Sequence, residues 1–399
     1  MSRIHLCLAK MGGEEQRYIK AAFDNHVVAP LGPNVDGFEE DLKSFFGSKM
    51  EVAALSSGTA AIHLALLACG VQRDDEVLCQ SFTFCASANP ITYIGAQPVF
   101  IDSDSDTWNM DPQLLETAIQ DRIQKTGKKP KAIIPVHLFG MPARIDEIIR
   151  IADHYDIPVI EDASESIGAR YNGQRCGTFG AFGVLSFNGN KMITTSGGGA
   201  LLCRNADTKR LILSYATQAR EAVPYYQHER IGYNYRLSNI CAGIGRGQMQ
   251  VLESHIAHHK RVCNRYKFLF ANTEGITLHE NPTPLHDSDY WLNTILLDPN
   301  LHVTGEDKLV DYPVSDGGVV PNHNVEAMRR ALDAADIEAR PLWKPMHLQP
   351  IYRNATSYCN GNSERLFRQG LCLPSGPCVS DEDVERIVKT IKESLRIEK

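Results

Sequence analysis

Three short segments carry residue types that can do chemistry. Ser56-Ser57-Gly58-Thr59-Ala60-Ala61 follows an apolar run and opens a helical pattern. A helix start has N–H groups without intrahelical acceptors and a partial positive charge, so it can bind phosphate, and hydroxyls add donors. A plain N-cap is the other reading of the same residues. Pro158-Val159-Ile160-Glu161-Asp162-Ala163 is an apolar run ending in two acids. Strand alternation puts Glu161 and Asp162 on opposite faces, with Asp162 at the carboxyl end. In isolation such an acid is a cap or a surface group. Ser186-Phe187-Asn188-Gly189-Asn190-Lys191 precedes Thr194-Thr195-Ser196-Gly197-Gly198-Gly199. Alone, a lysine in so polar and glycine-rich a loop reads as solvent-exposed. It does not follow Gly-x-x-x-x-Gly, so this is not the nucleotide phosphate loop.

Read as a set, the segments fit one cofactor. Pyridoxal 5′-phosphate needs a phosphate cradle, a lysine for its aldehyde, a carboxylate on its pyridine nitrogen and a flat group against its ring. The chain offers a candidate for each within one stretch of alternating elements.

Those elements follow from the apolar pattern. Short apolar runs at 52–55, 77–79, 98–101, 132–137, 159–160, 184–187 and 200–203 are separated by amphipathic stretches such as 60–68, 111–124 and 145–154. Alternating strand and helix predicts a mainly parallel sheet covered on both faces, with the chemistry at the carboxyl ends of the strands. Residues 238–270 read as helical in their second half, and helical patterns resume at 327–335 and 381–395. The expected organisation is a large domain over residues 1–250 and a smaller α+β domain over 251–399.

Bulk composition narrows the partners. A net charge of -7 gives no electrostatic case for nucleic acid or an anionic membrane surface. No window approaches the roughly 18 uninterrupted apolar residues of a membrane span. The start of the chain is broken by His5 and Lys10 and lacks a cleavage pattern, so no signal peptide is expected. Eleven cysteines without a Cys-x-x-Cys pair fit free thiols in a reducing cytoplasm.

The ordered motifs resemble the DegT/StrS-type sugar aminotransferases of the aspartate-aminotransferase fold (fold type I). The likeness runs through Ala29-Pro30-Leu31-Gly32-Pro33, Ser57-Gly58-Thr59-Ala60-Ala61, Ser81-Phe82-Thr83-Phe84 and Glu161-Asp162-Ala163. It continues through the segment ending in Lys191, Gly232-Tyr233-Asn234-Tyr235-Arg236-Leu237-Ser238 and Arg340-Pro341-Leu342-Trp343-Lys344. Ala216-Thr217-Gln218-Ala219-Arg220-Glu221 resembles the bacillosamine-type subgroup, which acts on UDP-2-acetamido-4-keto-2,4,6-trideoxyhexose. The resemblance implies a three-layer αβα large domain in which Lys191 holds the cofactor aldehyde and Asp162 pairs with the pyridine nitrogen. It implies that Phe84 stacks on the ring and that Gly58, Thr59 and Ser186 hold the phosphate. Asn234 would reach that phosphate from the other subunit of a homodimer with shared active sites. Glu165 stands near the ring hydroxyl where the family often has His or Gln. Lys10 stands where relatives tend to have Pro or His. His26, Val27, Val28, Ala29 and Ser57 would line one side of the sugar-nucleotide pocket, and Arg340, Pro341, Leu342, Trp343 and His347 the other.

The implied reaction is ping-pong. Glutamate gives its amino group, Lys191 moves the protons, a keto acid leaves, and pyridoxamine 5′-phosphate carries nitrogen to C4 of a nucleotide-linked 4-keto-sugar for glycan or polysaccharide synthesis. A dTDP- or GDP-linked sugar is the alternative substrate. A non-catalytic sugar-nucleotide-binding regulator and a 3-dehydratase are rivals on the same fold, but the first would have lost Lys191 or Asp162 and the second replaces the lysine with histidine. A cysteine desulfurase would need Cys359 on a mobile loop, without a supporting motif. No metal is expected, because His255, His258 and His259 read as a solvated helix face. Gly243-x-Gly245-x-Gly247 does not follow a strand, so it is no dinucleotide loop. His137 reads as a satisfied core histidine.

Overall fold

The computed structural model describes residues 2–47, 49–309 and 318–396, so the outer ends of the two expected domain spans, residues 1 and 397–399, lie outside the described residues. Every apolar run read from the sequence forms a strand. Their lateral order is Glu51–Leu55, Gly199–Cys203, Phe182–Ser186, Ile160–Asp162, Ala132–Ile134, Glu76–Gln80 and Gln97–Ile101. Isolated parallel bridges, Ile133 to Val159 and Val136 to Asp162, join the two halves of this row. The pairs from Phe182–Ser186 to Gln97–Ile101 are parallel. Gly199–Cys203 runs against both of its neighbours. The mainly parallel expectation therefore holds with one reversed strand.

Both faces of the sheet are buried. Val52, Ala54, Leu185, Ala200 and Leu202 pack into one core with Phe38 and Leu42 of the Pro33–Phe46 helix. Ala53, Leu55, Val184, Leu201 and Cys203, the alternate positions of the same strands, pack into another with Ile62 and Leu64 of the Gly58–Ala68 helix. Alternate side chains of a strand point to opposite faces, so this division puts helices on both sides.

Register then decides where the chemistry sits. Leu55 is opposite Gly199, Gly199 is opposite Ser186, and Asp162 lies beside Val184. The carboxyl ends of three strands and the amino end of the reversed one thus share one edge.

The second half of the chain builds an antiparallel sheet in the order Ile276–Leu278, Asn293–Leu297, Gly370–Leu373 and Arg340–Pro341. It shares a core with the Leu252–Phe270, His323–Ala334 and Asp381–Ser394 helices. The chain crosses between the two bodies more than once: Ile4 bridges to Ile337, and Ser357–Tyr358 adds a parallel strand to the edge of the large sheet beside Gln97–Ile101. Residues 238–270 hold two helices rather than one, Asn239–Met249 and Leu252–Phe270. The glycines of Gly243-x-Gly245-x-Gly247 are packing surfaces. A Cβ on Gly245 would come within 2.7 Å of the Phe38 ring, and one on Gly247 within 2.6 Å of the Glu15 nitrogen.

One expectation is corrected here. His255 and His259 are buried, with their Nδ1 atoms on the Met192 and Tyr290 carbonyls. Their helix lies against the Lys191 loop on one side and the Tyr290 turn on the other, so that face is packed and not solvated. His137 is fully buried and satisfied, its Nδ1 accepting the Ala143 N–H and its Nε2 facing Glu161 at 3.0 Å.

Asp289 ties the large sheet's loops to the second half. Its carboxylate accepts the Gly168 N–H at 2.9 Å and the Trp291 N–H at 3.2 Å. Gly140, at φ +92°, passes so close that a Cβ there would come 2.1 Å from Asp289 Oδ1. Burial raises the Asp289 carboxyl to about 7, against the two N–H donors that hold it down. A raised acid stabilises the fold below its unfolded value and loses that contribution as pH rises through the folded one. Asp289→Asn removes this titration. Chemical denaturation should therefore show the cost of the substitution shrinking by on the order of 2 kcal/mol between pH 5 and pH 8. A cost independent of pH would show that Asp289 stays ionised throughout.

Candidate active site

The shared edge opens into a cavity of about 430 Å³, and the residues singled out in the three segments meet there. Ser57, Gly58 and Thr59 form one wall. Ser57 caps the helix, its hydroxyl accepting the Ala60 N–H at 3.0 Å, while the Gly58 and Thr59 N–H groups open the first turn, where helices lack internal acceptors. Thus the cap uses the Ala60 N–H and leaves the Gly58 and Thr59 N–H groups as the candidate phosphate cradle. Close backbone packing shapes the cradle: a Cβ on Gly199 would come within 2.4 Å of the Gly58 nitrogen and of the Ser57 carbonyl carbon. Ser186 lines the same wall.

Asp162 enters from the end of its strand, buried and facing the cavity, whereas Glu161 on the opposite face accepts the Gly177, Phe179 and Gly180 N–H groups. One oxygen of Asp162 accepts the Ser87 hydroxyl at 2.6 Å and the other the Ser164 N–H at 3.2 Å. Phe84 also lines the cavity and is 56% exposed, which leaves a ring face open to a flat partner.

Lys191 sits in a loop closed on itself by Phe187 N–H to the Gly198 carbonyl and Thr195 N–H to the Phe187 carbonyl. Its ammonium lies 3.3 Å from Glu165 Oε1 and 4.1 Å from the centre of the Trp291 ring. Only 14% of the side chain is exposed. The indole N–H of Trp291 donates to the Asn190 carbonyl at 2.8 Å, so the same residue holds the loop and faces the amine. The Glu165 carboxylate accepts the Phe139 N–H at 2.8 Å. Burial pushes the Glu165 carboxyl up, and Lys191 beside it opposes that shift. Phe139 is held at φ 57°, a conformation that costs energy in a bulky residue and aims its N–H at Glu165.

Arg340 and Trp343 complete the cavity from the second half of the chain. The Arg340 guanidinium is paired with Glu338 at 2.9 Å. Trp343 packs against Phe84 and Phe139. The remaining expected contacts lie outside this cavity. His26, Val27, Val28 and Ala29 follow the Glu15–Asp24 helix, where Asn239 binds the Val27 and Ala29 carbonyls. Leu342 is buried in the core, its side chain against Gly370, and Pro341 lies in the strand before it. The His347 ring is hydrogen-bonded to the Ser81 hydroxyl at 2.6 Å. Asn234 is exposed, its backbone bridging to Thr217.

Three contributors were not read from the sequence: Trp291, Ser87 and Thr83. Trp291 stands a hundred positions from Lys191 in the chain. Thr83 and Ser87 flank Phe84 four residues apart, a spacing that marks nothing until the turn is seen. A larger open groove of about 540 Å³ beside Arg150 and Arg204 is lined by no lysine, cysteine or histidine among the described residues, and Arg204 is spent on the Phe179 and Gly180 carbonyls.

The cavity fits pyridoxal 5′-phosphate: a helix start, a buried carboxylate, an open ring face and a lysine line one space of suitable size. Comparison with known proteins points the same way. A model of the DegT/DnrJ/EryC1/StrS aminotransferase family matches residues 9–392. EpsN of Bacillus subtilis (strain 168), described by its name as a pyridoxal phosphate-dependent aminotransferase, is 43% identical over 98% of this chain and 95% of its own. GDP-perosamine synthase of Caulobacter vibrioides is 31% identical over 99% of both chains. The crystal structure of a DegT DnrJ EryC1 StrS aminotransferase from Brucella abortus superposes with a TM-score of 0.84 at 29% identity over 95% of each chain.

The packing of Gly199 gives a direct test of the cradle. Gly199→Ala forces its methyl against the helix start, and overpacking of this kind costs about 1–3 kcal/mol. Absorbance titration with pyridoxal 5′-phosphate should show affinity falling roughly tenfold while far-ultraviolet circular dichroism is unchanged. Unchanged affinity would mean the phosphate binds elsewhere.

Proposed function

The chain belongs to the DegT/DnrJ/EryC1/StrS aminotransferase family, and from that premise we propose that it moves the amino group of glutamate to C4 of a nucleotide-linked 4-keto-6-deoxy sugar. The family makes it a pyridoxal-phosphate-dependent sugar aminotransferase. The substrate proposed first is UDP-2-acetamido-4-keto-2,4,6-trideoxyhexose, used in the cytoplasm for surface glycan or polysaccharide synthesis. The observation that carries the proposal is the convergence of Lys191, Asp162 and Phe84 on one cavity that Arg340 also lines.

Bound pyridoxal 5′-phosphate supplies an aldehyde and an electron-accepting ring. The chain's own residues do the rest. Asp162 would pair with the ring nitrogen, and Phe84 would stack on the ring. The helix start at Gly58 and Thr59, with Ser186, takes the phosphate. Lys191 Nζ, once free, takes a proton from the donor carbon and later returns one to the sugar carbon. Glu165 and the Trp291 face lie where they stabilise the ammonium that this transfer produces. Arg340 offers a charge for a carboxylate or diphosphate. Asn234, exposed and outside its own cavity, is proposed to complete the partner subunit's phosphate site in a homodimer, with His26, Val27, Val28 and Ala29 at the same junction.

A GDP-linked keto-sugar is the second reading, favoured by the full-length likeness to a GDP-perosamine synthase.

Substrate identity is read by adding nucleotide-linked 4-keto-sugars to the enzyme in its pyridoxamine form and following cofactor absorbance and product mass. The UDP-linked 2-acetamido sugar is expected to restore the aldehyde form and yield its amino product. Turnover of the GDP-linked sugar alone would select the second reading, and a response to keto acids but to no sugar would defeat both. Lys191→Ala should lower steady-state turnover by roughly 100- to 10,000-fold, the range of a lost acid–base group. Turnover near the wild-type rate would rule out its role as proton carrier.

A further inference from the structure

Behind the carboxylate that faces the ring nitrogen stands a two-hydroxyl relay. Ser87 Oγ lies 2.6 Å from Asp162 Oδ2, and Thr83 Oγ1 lies 2.8 Å from Ser87 Oγ. Both hydroxyl residues are 1% exposed. They belong to the turn that presents Phe84, held by the Thr83 N–H on the Ser81 carbonyl and the Ser87 N–H on the Phe84 carbonyl.

Counting hydrogens decides which way the relay runs. If Thr83 donates to Ser87 and Ser87 to Asp162, both hydroxyl protons are used and the carboxylate accepts. If Asp162 instead carried a proton and donated it to Ser87, Ser87 would donate to Thr83, and the buried Thr83 proton would have no acceptor among the hydrogen bonds of this site. Buried donors without acceptors are costly. The other oxygen of Asp162 already accepts the Ser164 N–H. The relay therefore runs from Thr83 through Ser87 to Asp162 Oδ2, which accepts.

We propose that Ser87, backed by Thr83, is a positioning residue that holds Asp162 as an oriented carboxylate and thereby keeps the shared proton on the cofactor's ring nitrogen. This rests on the reading of Asp162 as the ring-nitrogen partner. A donor to a carboxylate lowers its appetite for a proton. Across the Asp162–ring pair this leaves the proton on nitrogen, the form in which the ring draws electrons most strongly. Without the Ser87 donor, Asp162 becomes the better base, and the proton moves toward its oxygen. No atom is gained or lost; one proton changes its share of the bond.

Enzyme loaded with ¹⁵N-labelled pyridoxal 5′-phosphate tests this through the ring-nitrogen resonance. In Ser87→Ala the resonance should move from the pyridinium toward the neutral-pyridine position, and cofactor affinity should fall roughly tenfold, as for loss of one hydrogen bond to a charged group. Ser87→Thr keeps the hydroxyl and should return the resonance to the wild-type position, which a purely structural role of the serine does not predict. Thr83→Val should shift it in the same direction by a smaller amount, and this variant decides the matter if Ser87→Ala does not fold. An unmoved resonance in Ser87→Ala, or in Thr83→Val where that variant decides, overturns the proposal. Asp162→Asn separates the premise from the inference. If it leaves the resonance at the pyridinium position, the Asp162 assignment is wrong. If it shifts the resonance while Ser87→Ala does not, only the relay is wrong.

Discussion

The site depends on the register of one reversed strand. Gly199–Cys203 runs between Glu51–Leu55 and Phe182–Ser186 and opposes Gly199 to both Leu55 and Ser186. That alignment brings the helix start at Gly58 and the serine at Ser186 to one edge, and parallel pairing beside Val184 brings Asp162 to the same edge. A slip of one residue would turn every side chain of the strand to the other face. Both faces are buried in separate cores, so such a slip would disrupt both at once. Gly199 stands at a close approach, where no side chain fits between the strand and the helix start. The same packing that fixes the sheet therefore shapes this wall of the cavity.

Charge is the second constraint. Asp162, Glu165 and Lys191 share a buried region, where an unpaired charge is costly. Each is answered by neighbours. Asp162 has Ser87 and Ser164, Glu165 has the Phe139 N–H and Lys191, and Lys191 has Glu165 and the face of Trp291. These neighbours come from five separate stretches of chain. The loops that deliver them are locked by backbone conformations such as Phe139 at φ 57° and by Asp289, which holds the Trp291 turn.

Much of the scaffold was legible in the sequence because apolar runs in a two-sided sheet are continuous and short. Each run became a strand, and the cradle, Asp162 and Lys191 stood at recognisable strand ends. The direction of Gly199–Cys203 was not legible, since an apolar run reads the same whether it lies parallel or antiparallel. His255 and His259 misled because three histidines on a charged helix look solvated until the loop of Lys191 packs on them. Ser87 and Trp291 were invisible for opposite reasons. One is a common residue in a common turn, and the other is far away in the chain. Leu342 shows the limit of reading a motif as a contiguous surface, since it lies in the core between Arg340 and Trp343, which face the cavity.

The central claim is that Lys191 is the lysine that holds the cofactor. Borohydride reduction of the loaded enzyme, followed by peptide mass mapping, reads this directly. The account predicts the reduced cofactor on the peptide containing Lys191 and on no other. Its appearance on a different lysine, with Lys191 unmodified, would contradict it.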